Sequence, residues 1–143
     1  MAGHLALPIT DFLTQKDAEG KERTLGRDKF YVPGSVLRTS VDNASPLAWG
    51  MDTTADVMFS GSPTFSIGKD ASDLKRVAWY ADKTPLRSGW AWGQENLNGG
   101  TAVIDATVGK GRLVMCGPQV LFRGQPHGTF KFLFNGIVGP TPQ

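Results

Sequence analysis

The chain has 143 residues, enough for one domain with its own buried core. Its 40% hydrophobic and 20% charged content is ordinary for a globular protein, and a formal net charge of +2 argues against a nucleic-acid footprint. No apolar run approaches the roughly 20 residues needed to span a bilayer. The start MAGHLALPITDF lacks a basic region followed by an apolar core, so no signal peptide is visible. The lone Cys116 excludes an intrachain disulfide and any cysteine-rich zinc site.

In chain order, residues 1–29 read as a segment of their own. After its short apolar start, QKDAEGKERTLGRDK is polar and is expected to form an exposed, mobile loop. Residues 30–143 read as a single β-rich domain. Ser35 to Val41 predicts a strand, ended by Asp42-Asn43 and Ser45-Pro46. Asp56 to Phe59 and Thr64 to Ile67 predict two short strands parted by Gly61-Ser62-Pro63. The unbroken apolar character of Arg76 to Ala81 predicts a buried strand.

The clearest signals come last. Thr101 to Val108 and Arg112 to Cys116, joined by Gly109-Lys110-Gly111, predict a hairpin. The first of these strands is apolar on both faces and is expected to be central. Phe130, Leu133, Phe134 and Ile137 follow the i, i+3, i+4, i+7 spacing of an amphipathic helix lying on the sheet. Thr129 is expected to cap it, and Gly136 or Gly139 followed by Pro140 to stop it. The fold class read from these elements is α+β and β-rich.

Chemistry is sparse. A catalytic zinc needs about three ligands on one site, but the chain has only His4 and His127, neither with a carboxylate at i+3 or i+4. His127 is expected to shape the turn before the helix. Cys116, ending an apolar strand, reads as a small buried hydrophobe rather than a nucleophile. Gly109-Lys110-Gly111 lacks the GxxxxGK[ST] pattern leading into a helix, so it reads as a turn and not a phosphate loop. Asp105, in an otherwise apolar strand, calls for a partner, with Arg112 and Arg123 as candidates for a structural ion pair. Trp90 and Trp92 share a side if the chain is extended there. Exposed, they would stack on a ligand or anchor a partner; at least one is expected to be buried beside Trp79 or Trp49.

These residues also carry a resemblance. Gly89-Trp90-Ala91-Trp92-Gly93-Gln94, Val108-Gly109-Lys110-Gly111-Arg112, Gly117-Pro118 and the run from Phe122 to Phe134 resemble the C-terminal region of bacterial zinc carboxypeptidase-like metallopeptidases. Phe30 to Ser35 and Ser45 to Gly50 are similar to segments upstream in that region, so the resemblance spans nearly the whole chain. It implies a fragment without the peptidase domain, which in that family carries the zinc ligands and precedes this region. The family is often exported.

That region is itself similar to a class I glutamine amidotransferase-like, flavodoxin-type α/β unit, with Val108 to Pro118 looking like its closing strands. True amidotransferases follow the Gly-Pro with His-Pro-Glu, and here Gln119, Val120 and Leu121 stand in those places. Base and orienting carboxylate are both missing, so no triad is expected. The unit would be partial, its nucleophile-bearing half expected before Met1, and its uncovered edges and faces imply a homodimer formed through an edge strand or the Trp-rich face.

Two functions follow as expectations. One is a non-catalytic accessory or assembly domain, without metal, cofactor, nucleic acid or membrane, partnered by itself and by a peptidase domain of a parent chain. The other is a peptide- or glycan-binding module with Trp90, Trp92, Arg123 and His127 around one pocket.

Overall fold

A computed structural model describes residues 7–139. Its strands in chain order are β1 (Ile9–Asp11), β2 (Thr14–Lys16), β3 (Glu22–Thr24), β4 (Ser35–Val41), β5 (Thr54–Phe59), β6 (Phe65–Ile67), β7 (Leu74–Trp79), β8 (Leu86–Ser88), β9 (Thr101–Val108) and β10 (Gly111–Cys116). Helix α1 (Phe130–Val138) follows them. His4 and Pro140, named above, lie outside the described residues.

Eight strands make one sheet in the order β1-β6-β9-β7-β4-β5, with β10 also on β9 and β8 also on β4. Every pairing in it is antiparallel. The molecule is α+β and β-rich, with its single α-helix among the described residues at the C-terminal end. β9 is central as expected: Thr101, Ala102, Val103, Ile104 and Ala106 are all buried. Its two faces feed two apolar clusters. One gathers Val103, Leu37, Val57, Phe59, Val77, Tyr80 and Phe132; the other gathers Ile104, Ala106 and Leu74 with Leu113 and Met115 against them.

The β9–β10 hairpin has Val108 opposite Gly111, leaving Gly109 and Lys110 as a two-residue loop. Gly109 has φ 58°, the positive value a type II′ turn needs at its first loop position.

Residues 15–29 are mostly exposed, but they are not simply a loop. β2 and β3 form a separate hairpin, and Asp17 holds its turn by accepting from the Glu19 and Lys21 N–H groups. Just before it, Leu13 is buried in the main core and the Phe12 N–H donates to the Thr64 carbonyl. A polar composition concealed this, because two apolar residues were enough to anchor the segment.

The helix forms where expected, yet it buries a different face. Phe132 is wholly buried, whereas Phe134 is 56% and Ile137 70% exposed. Gly136 is on the packed side of the helix with Phe132, facing Leu47 and Val114. Thr129 precedes the helix without capping it through its side chain, since its hydroxyl is directed at the Val120 and Pro126 carbonyls. Gly139 ends the helix, its N–H donating to the Asn135 carbonyl at 2.8 Å.

Candidate functional site

The segment after β8 is fixed by two glycines. Gly89 (φ 94°) and Gly93 (φ 69°) take left-handed backbone that a side chain would strain. A Cβ at Gly93 would also collide with the Lys29 carbonyl, and one at Gly89 with the Ser35 side chain. Between them the chain is extended, and Trp92 forms an antiparallel bridge to Tyr31 through two 3.0 Å hydrogen bonds. Trp90 is locked by Ser35: the hydroxyl accepts from its N–H at 2.9 Å and donates to its carbonyl at 2.5 Å.

Neither tryptophan enters the core. Trp90 is 53% exposed and Trp92 55%, which overturns the expectation that at least one would be buried. The physical reason is that Phe59, Tyr80 and Phe30 already fill the core beneath, in edge-to-face pairs at 6.0 and 6.2 Å. The Trp90 ring instead meets Tyr31 edge-on at 6.0 Å, and the Arg27 guanidinium lies 5.3 Å from the Tyr31 ring. Tyr31, itself 38% exposed, completes an aromatic surface with Trp90 and Trp92. Sequence reasoning missed Tyr31 as a member; only its place in an aromatic run, Phe30-Tyr31, hinted at it.

Beside Trp92 lies a cleft of about 550 Å³ walled by Asp28, Lys29, Gln94, Glu95 and Asn96. Much of its polar capacity is already used within the chain. The Trp92 Nε1–H donates to the Asp28 carbonyl at 2.9 Å, and the Asn96 amide donates to the Gly93 and Lys29 carbonyls. Gln94 accepts from the Leu86 N–H at 2.9 Å.

Arg123 and His127 belong to a different stretch, on the irregular path from β10 to α1. Arg123 holds φ 49°, its guanidinium 5.0 Å from the Phe122 ring, and the His127 ring lies 5.2 Å from Phe130. Both side chains are exposed, and none of the five principal clefts is lined by members of both pairs. The two tryptophans share the face beside Tyr31, while Arg123 and His127 lie on the pre-helix loop, and none of these clefts joins the four residues. His127 does shape that loop, opening the 3-10 turn His127–Thr129 that leads into α1.

Among the described residues, no three His, Cys, Asp or Glu side chains gather where they could hold a metal ion. Burial pushes the Cys116 thiol up to about 11, leaving it a protonated, weakly nucleophilic group at neutral pH. Asp105 pairs with Arg112 rather than Arg123, through two 2.7 Å hydrogen bonds, with side chains only 13% and 9% exposed. Gln119 and Val120 act through their backbone, the Gln119 N–H donating to the Met58 carbonyl and the Val120 carbonyl accepting from Thr129.

Comparison with known proteins found no matching family model, no matching curated protein and no matching solved structure.

Proposed function

We propose that this chain is a non-catalytic accessory domain that docks a polypeptide partner on the Tyr31–Trp90–Trp92 face. The observation carrying this is that two tryptophans are each more than half exposed while their backbone is pinned by Ser35 and Tyr31. Large aromatics presented on a rigid frame bring contact area at little entropic cost, which is why they dominate binding hot spots. A polypeptide is favoured over a glycan because the Asn96 amide N–H and Trp92 indole N–H donors and the Gln94 Oε1 acceptor, which a sugar would need, are already hydrogen-bonded within the chain. Asp28 and Glu95 with Lys29 in the adjoining cleft, and Arg27 at Tyr31, give the surroundings charges of both signs that can set the register of a polypeptide.

The parent-protein reading, a metallopeptidase-like chain with this domain as its accessory part, rests on the sequence resemblance. Reading the coding sequence upstream in the same frame tests it. The finer kinship with a flavodoxin-type, glutamine amidotransferase-like unit rests on the same resemblance alone. Doubly wound sheets are parallel with helices on both faces, so the antiparallel pairing here adds nothing to it.

A peptide array and a glycan array, each probed with the wild type and a Trp90→Ala/Trp92→Ala variant, test the docking surface. Peptide binding that weakens about 30-fold or more in the variant, with far-UV circular dichroism unchanged, is expected. Binding confined to the glycan array, or peptide binding indifferent to both substitutions, overturns the assignment.

A further inference from the structure

Of the strands paired on one side only, β1 and β8 are three residues each, while the two longer ones, β5 and β10, are treated differently. β5 is guarded: the chain after β10 crosses to it, and the Gln119 N–H donates to the Met58 carbonyl. It also carries Asp56, an exposed carboxylate that pairs with Arg38 at 2.9 Å. Charges, bulges and covering segments are the devices that stop one sheet edge from pairing with another.

β10 has none of them. Its register with β9 runs unbroken from Gly111 to Cys116, so no bulge twists the edge away. It contains no proline, and its one charged residue, Arg112, is drawn into the ion pair with Asp105 instead of standing guard in solvent. Among the described residues, no backbone group outside β9 hydrogen-bonds to Gly111–Cys116. Alternate N–H and C=O groups of this strand are therefore left for another strand.

From this we infer that β10 is the pairing edge for a second copy of this chain, the two strands joining antiparallel about a twofold axis normal to the sheet. Such a join is isologous, each copy offering the same edge to the other. Centred on Val114, it sets Leu113 against Met115 of the other copy and so places apolar side chains opposite apolar ones. The neutralised Arg112 brings no like-charge clash, and Lys110 lies beyond the paired stretch.

A second feature supports this choice of occupant. An axis normal to the sheet leaves both copies of α1 on the same side of the joined sheet. α1 approaches one face of β10 at Gly136 and Val114, and Ile137 and Val138 are 70% and 79% exposed. The dimer would add this apolar helix surface to six residues of strand pairing, which alone fall short of the roughly 1,200 Å² a stable interface buries. The inference uses a surface separate from the Trp90–Trp92 face, so either assignment can fail without the other.

Size-exclusion chromatography with light scattering, from about 1 to about 100 µM, reads the association by mass action. Amide hydrogen exchange at the two ends of that range locates it. A dimer in which exchange of Gly111–Cys116 slows about 10-fold or more on concentration is expected. Leu113→Lys should abolish the dimer with the circular dichroism retained, whereas Trp90→Ala/Trp92→Ala should leave it intact. If the lysine variant does not fold, the wild-type exchange pattern decides. A monomer at about 100 µM, a native-like lysine variant that still dimerises, or protection appearing at Trp90–Trp92 or Trp49 instead of β10 overturns the proposal.

Discussion

Ser35 and Trp90 are 55 residues apart in sequence and share one hydroxyl: it receives the Trp90 N–H at 2.9 Å and gives its proton to the Trp90 carbonyl at 2.5 Å. Ser35 is 2% exposed, so alanine there strands two backbone groups with little access to water. Ser35→Ala is expected to destabilise the fold by about 1–3 kcal/mol, measured by urea unfolding. It should also raise acrylamide quenching of tryptophan fluorescence as the segment loosens. An unchanged quenching constant would mean that Gly89, Gly93 and the Tyr31–Trp92 bridge hold the loop without it.

The Asp105–Arg112 pair yields an asymmetric expectation. Arg112→Ala leaves a mostly buried carboxylate without its partner and should cost about 3–5 kcal/mol. Replacing both together, Asp105→Leu with Arg112→Met, should recover most of that loss, because neither charge then needs compensation. Chemical denaturation of Asp105→Leu, Arg112→Met and the double variant closes the cycle; strictly additive losses would show that the pair is not coupled.

Alkaline pH should weaken the fold through Cys116. Burial raises its thiol from 9.0 to about 11, so the folded chain resists ionisation that the unfolded chain accepts. Any contribution to stability is thus intact below pH 9 and is lost as pH climbs towards 11. Buried Tyr80, its phenol raised by the same desolvation, acts in the same direction at higher pH. Thermal melts of the wild type and Cys116→Ala at several alkaline pH values should converge as pH rises. Native-state labelling by a thiol reagent at pH 8 should be slow beside that of the unfolded chain.

Gly136 is a position where a larger residue should help. A Cβ there would meet Leu47 and Val114 at 3.5 Å, ordinary contact distances, and alanine is the better helix former. Gly136→Ala is expected to stabilise by about 0.5–1 kcal/mol in thermal or urea unfolding. Gly136→Leu should instead push α1 off the sheet and destabilise it. If alanine also destabilises, the helix sits closer to the sheet than these distances allow.

Local pattern was legible where each residue's own neighbours determine it. β4, β9, β10 and the β9–β10 turn follow from alternation, apolar runs and glycine, and the Asp105 ion pair from a lone charge in an apolar strand. The helix span was readable but its buried face was not. Periodicity weighed Phe134 and Ile137 as core, while the packed side carries Phe132 and Gly136, and a glycine adds nothing to an apolar count. β1 and β8, three residues each, are too short to carry a period and exist through their partners. At the candidate site, Trp90 and Trp92 stood out by composition. Their exposure depended on whether Phe30, Phe59 and Tyr80 had already filled the interior, which no local reading of the loop supplies.

The central position of β9 has a consequence for how the chain comes off the ribosome. Of the three strands that pair with it, β6 and β7 are synthesised before it, and until residue 108 emerges β6 has only β1 to join and β7 only the end of β4, so the two halves of the sheet stay apart. The nascent chain must carry the apolar faces of β4, β5 and β7 uncovered for most of its synthesis, and it closes them only when its last third arrives. Late closure makes the newborn chain a client for holding chaperones, and truncations that remove the C-terminal hairpin should leave a sticky intermediate rather than a smaller folded domain.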